Sequence, residues 1–205
     1  PIQPDKYLNV WIGNLADSVS GYAQMPGGTD KTDGIVIDYE FFGTMGTAKE
    51  PYHLGKTLTH LVGSYLGLYE LWSEKTLCGD DYVNDTPIHN APNQGPAHYY
   101  RHVSLCFDGD VEMSMNYMDN SDDAFLYMFT LGQMIRMQAN LTKGGTRHQL
   151  TNSSSRCSEE DNLGGLMPNH SKLETSTNTF SDPNLTVYPN PVSNTLRIDI
   201  PQLNG

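Results

Sequence analysis

Four residues in one short stretch have the types and the spacing of a metal centre. His60 and Ser64 lie four positions apart, Gly67 follows three later, and Glu70 three after that. On a helix, residues four apart share a face, so His60 and Ser64 stack one turn apart. Gly67 offers a place for the helix to end in a left-handed turn and for the chain to reverse. Glu70 then lies where it can swing back toward His60. Imidazole and carboxylate donors brought together in this way suit zinc. The same residues also suit a plain core helix with one histidine, because matches by spacing alone carry false positives.

The elements that must position these residues can be read from periodicity. Within residues 53–72, Leu58, Leu61, Val62, Tyr65, Leu66 and Leu68 recur at spacings of three and four, which predicts an amphipathic helix. Residues 7–15 (YLNVWIGNL) and 34–42 (GIVIDYEFF) are rich in β-branched and aromatic residues and read as strands. Residues 21–33, with Met25-Pro26-Gly27-Gly28, read as a loop. A second helix is expected over 129–141, with Met134, Ile135, Met137 and Leu141 on its apolar side. Between the helices, residues 73–112 are poorly periodic, and so long an irregular stretch calls for ligands or crosslinks. Residues 113–123 read as a compact turn.

Composition narrows the function classes. A chain of 205 residues suits one domain with a short appendage. A net charge of −12 argues against nucleic acid or an anionic membrane as partner. The acids crowd between Asp80 and Asp123, with Arg101 almost alone among them. They read either as a solvated acidic face or as hard oxygen donors for calcium. Cys78, Cys106 and Cys157 form no CxxC pair and leave room for one disulfide and one thiol. No apolar run is long enough to span a membrane. The chain starts at Pro1 without a methionine or signal peptide and reads as a processed piece.

The spacing of His60, Leu61, Ser64, Gly67 and Glu70 is the frame of the metzincin motif H-E-x-x-H-x-x-G-x-x-H. Together with its surroundings the stretch resembles the pappalysin family of metzincin zinc metalloproteases, in its bacterial branch. Residues 7–15, 21–28 and 33–39 look like the opening strands and loop of that catalytic domain. Gly55-Lys-Thr-Leu-Thr-His and Leu66-Gly-Leu-Tyr-Glu-Leu-Trp look like the two halves of its zinc helix. Residues 81–87 look like its calcium-binding stretch, and 115–123 like its Met-turn. The resemblance implies an α+β fold with a twisted mixed sheet over the zinc-type helix. A loop-rich lower half with Met-turn and closing helix completes it.

Carried over by position, the resemblance makes His60 the first zinc ligand. Leu61 stands at the general-base position, Ser64 at the second ligand and Glu70 at the third, all three departing from the motif. Met118 matches the Met-turn methionine, and Asn120 stands where the family has an oxyanion tyrosine. Asp81, Asp85 and Thr86 match calcium ligands, and Cys78 and Cys106 match a family disulfide. The domain is expected over 1–141, followed by a Ser/Thr/Asn-rich linker over 142–183. Residues 184–205 resemble the start of a C-terminal sorting domain of type IX secretion.

The expectation is a secreted or cell-surface pappalysin homologue whose zinc site is degenerate, catalytically inactive or impaired, and which binds peptides. Zinc is expected to be weak or absent, and calcium present. The alternatives are an active zinc endopeptidase with a non-standard site, and a calcium-stabilised structural module.

Overall fold

The computed structural model describes residues 1–16, 19–73, 77–96, 102–106 and 109–151. Arg101, Cys157, the linker from residue 152 and the sorting-like tail lie outside the described residues. The elements run β1 (Val10–Gly13), β2 (Gly21–Ala23), β3 (Ile35–Asp38), α1 (Lys56–Tyr65) and α2 (Leu131–Leu141). Short 3-10 turns cover Tyr39–Phe41, Asp123–Phe125 and His148–Thr151.

The three strands form one mixed sheet in the order β1-β3-β2. β1 runs parallel to β3 with Val10 opposite Ile35, and β2 runs antiparallel with Ala23 opposite the same Ile35. Ile35 and Ile37 are fully buried and pack with Leu61 and Tyr65 of α1. Alternation puts Trp11 and Tyr22 beside Val36 on the opposite face. The twisted mixed sheet over a helix, with a looser lower half, is the α+β architecture expected from the sequence.

One difference from the sequence reading concerns the sheet. Residues 21–23, read as loop, form an edge strand. Gly21 disguises it, for a Cβ there would lie 2.7 Å from both Leu61 Cδ1 and Val36 O. α1 stops at Tyr65, just ahead of the turn expected at Gly67. Its end is a Schellman motif: Leu68 N–H donates to Gly63 O at 3.0 Å and Gly67 N–H to Ser64 O at 2.9 Å. Gly67 takes φ +93°, the left-handed turn anticipated at that glycine.

α2 carries a full capping box, with Thr130 and Gln133 bonded reciprocally. Its attachment is mixed: Met137 of the expected apolar stripe packs against Leu68, Leu71 and Met118, and polar side chains supply the rest. Gln133 is its buried residue and pairs with Asn116 through both amide atoms, at 2.7 and 3.2 Å. Arg136 Nε donates to Gly67 O at 2.7 Å and Asn140 Nδ2 to Leu66 O at 2.8 Å, whereas Ile135 is exposed.

Candidate metal centre and its supports

His60 is aimed by the turn that follows the long loop. Its Nδ1 lies 2.8 Å from Tyr117 O, so the neutral ring donates there and keeps its Nε2 lone pair open. Burial pushes the imidazole below the ordinary histidine range, against the pull of its backbone partners, which keeps it neutral and able to bind a cation. Glu70 Oε1 lies 3.9 Å from that Nε2. The Schellman turn therefore brings the carboxylate back to the imidazole, as the spacing suggested.

The other positions of the frame are occupied differently. Ser64 Oγ turns to its own helix and donates to His60 O at 3.5 Å. Leu61 is buried in the core against the sheet. Among the described residues, no group of three or more His, Cys, Asp or Glu is arranged to hold a metal. The donor set that converges is thus one imidazole and one carboxylate, short of the three protein ligands of a catalytic zinc. The residues present do not fit that ion as the family motif holds it.

Met118 is fully buried beneath α1, and a Cβ at Gly63 would meet its sulfur at 2.6 Å. Asn120, the residue at the tyrosine position, is exposed, and its backbone N–H donates to Asp119 Oδ1 at 2.8 Å. Cys78 and Cys106 form a disulfide, which crosslinks the irregular stretch.

Several of the acids serve the fold directly as hydrogen-bond acceptors. Asp123 is buried, and its Oδ2 accepts from Leu54 N–H at 2.8 Å and Lys56 N–H at 3.2 Å. It thereby serves the start of α1, where Gly55 supplies no side-chain cap. Asp85 does the same for α2, accepting from Thr130 Oγ1 and Gly132 N–H, both at 2.8 Å. Asp81 accepts from Val83 N–H at 3.1 Å and from Thr86 Oγ1 at 2.8 Å. These carboxylates are internal acceptors that fold the loop-rich half.

The support under Met118 was not legible in the sequence beyond its surplus of acids. Asn93 Nδ2 donates to Glu112 Oε2 at 2.9 Å and to Asp119 Oδ2 at 2.8 Å, between two fully buried carboxyl groups. His89 is fully buried beside them, 3.6 Å from Asp119 and 3.9 Å from Glu112, and its Nε2 accepts from Met113 N–H at 2.8 Å. His102 closes the group from the surface, 2.9 Å from Glu112 Oε2. Burial holds His89 down to about 4 and pushes Asp119 up to about 6.

This geometry can be set against known proteins. The family model described as "Pregnancy-associated plasma protein-A" matches residues 2–142. The chain belongs to the pappalysin family. An extracellular metalloprotease of Arthroderma benhamiae is 36% identical over 136 residues, covering 63% of this chain and 49% of that protein. Extracellular metalloprotease 1 of Coccidioides posadasii is 39% identical over 95 residues, covering 46% and 33%. Mature mirolysin of Tannerella forsythia, solved with a cleaved peptide, superposes with a TM-score of 0.66 at 37% identity. That match covers 72% of this chain and 57% of mirolysin. This pappalysin chain thus spans about half the length of the curated relatives it matches.

Proposed function

We propose that this chain is a secreted pappalysin-type protein that binds peptides and hydrolyses them weakly or not at all. The observation that carries the reading is the content of the frame: only His60 and Glu70 converge, while Leu61 is packed in the core. An aliphatic side chain has no lone pair with which to take a proton from water. General acid–base help of that kind is worth about 10²–10⁴-fold. The peptide side of the reading rests on β2, which bonds to β3 alone among the described strands and leaves its other edge for an added strand. Secretion is supported by the relatives named extracellular, and no described helix is long and apolar enough to cross a membrane.

The test is zinc stoichiometry and casein hydrolysis, measured for the native chain and for Leu61→Glu, Ser64→His and Glu70→His combined. Weak zinc and no hydrolysis are expected natively, with both gained in the triple variant. Single restorations change little, because ligands and base act as a unit. Stoichiometric zinc with hydrolysis in the native chain overturns the reading.

A second reading, an active endopeptidase with a non-standard site, is favoured by His60 alone, whose ring is held as a zinc ligand requires. Calcium at Asp81, Asp85 and Thr86 is proposed from the family resemblance. It predicts a melting temperature that falls on chelation.

A further inference from the structure

Arg147 lies beyond the last residue matched to the family, yet its side chain reaches both the end of α1 and the residue after β2. Its Nε donates to Tyr65 O at 2.8 Å, at the end of α1 just before the turn that carries Glu70. Its Nη2 donates to Gln24 O at 2.8 Å, directly after the edge strand β2. Its Nη1 pairs with Asp33, and its Cζ lies 3.4 Å from the centroid of the Tyr65 ring. Tyr65 closes the circle by donating its hydroxyl to Asp33 Oδ2 at 2.9 Å. Arg147, Asp33 and Tyr65 are all buried.

We propose that Arg147 is a positioning residue that fixes the distance between the β2 edge and the Tyr65–Glu70 turn, and so the width of the peptide cleft. The proposal rests on the peptide-binding reading above. A buried guanidinium with an acceptor on each fork of its plane has its position set from three directions at once. An ammonium on a flexible stem is a point charge and cannot hold the same three acceptors in the same plane. Asp33 and Arg147 also border a cavity of about 810 Å³, which leaves room for water beside a shorter side chain.

The experiment compares Arg147→Lys with Thr130→Ala, which loosens the first turn of α2, ahead of the Arg136 and Asn140 side chains that hold Gly67 and Leu66. Amide hydrogen exchange is followed along the chain, and binding of a fluorescein-labelled casein peptide is read by anisotropy. Arg147→Lys should raise exchange in residues 21–25 and 66–70 together, and weaken peptide binding about tenfold, with the first turn of α2 unchanged. Thr130→Ala should raise exchange in that first turn and leave peptide affinity as it was. Unchanged affinity in Arg147→Lys, or exchange that rises evenly along the chain, overturns the proposal and leaves Arg147 a simple staple. If the native protein binds no peptide, the functional reading fails by itself. The paired rise in exchange then still decides whether one residue holds both walls.

Discussion

Replacing Asp119 by Asn should expose a hidden pH dependence of stability. His89 folds with its value lowered from 6.5 to about 4, and Asp119 with its value raised from 3.8 to about 6. Each displacement is worth about 3 kcal/mol at roughly 1.4 kcal/mol per unit. The signs oppose. Asp119 stabilises fully below its unfolded value, and that contribution is lost as pH rises through its folded value near 6. His89 is the reverse: it destabilises fully below its folded value near 4, and the cost is relieved as pH rises to 6.5. In the native protein the two nearly cancel, because folding in effect moves one proton from His89 to Asp119. Asp119→Asn leaves the histidine unopposed, and because His89 is common to both proteins the variant should gain about 3 kcal/mol relative to the native protein between about pH 3.8 and pH 6, the window of Asp119. The new amide also faces Asn93 Nδ2, which adds a cost that does not change with pH. Urea unfolding at half-unit intervals, plotted as variant minus native, removes the other carboxylates from the comparison. A difference that stays flat across the range refutes the reasoning.

Three further outcomes follow from the geometry. Removing the Cys78–Cys106 bridge, with Cys157→Ser as background, opens a loop of separation 28. By chain entropy this costs about 3–4 kcal/mol, read as a lowered urea midpoint. Asp85→Ala strips two acceptors from the start of α2 and should cost about 1–2 kcal/mol, visible as faster amide exchange at Gly132. Gly63→Ala drives a methyl into the Met118 sulfur; calorimetry should show a loss of about 1–3 kcal/mol although alanine favours helix.

What the sequence made legible was whatever depends on local pattern. The spacing of Leu58, Leu61 and Tyr65 located α1, and Gly67 located its end, because a left-handed residue and a helical stripe are properties of short windows. The same logic failed at Ile135, which shares the helical period yet is exposed. Met137 does pack on the core, but the rest of the attachment of α2 runs through Gln133, Arg136 and Asn140. Polar attachment leaves no periodic trace. The edge strand β2 was missed because the reason Gly21 must be glycine lies on β3 and Leu61, not beside it in the chain. His89 was unreadable for a related cause: a lone histidine becomes part of a network only when Asn93, Glu112 and Asp119 are folded around it.

The two helix starts differ in when their partners leave the ribosome. Asp85 precedes α2, so the acceptor is already synthesised when the first N–H groups of that helix emerge. α1 must wait. Its acceptor, Asp123, lies 69 residues beyond Leu54, and no local side chain substitutes for it. A ten-residue helix is marginal on its own in water, so α1 gains its full length only after the Met118 segment has been made and has docked. The nascent chain therefore carries His60 in an unfinished helix until Asp123 has been made, and the histidine and Glu70 meet only when the lower half closes beneath them.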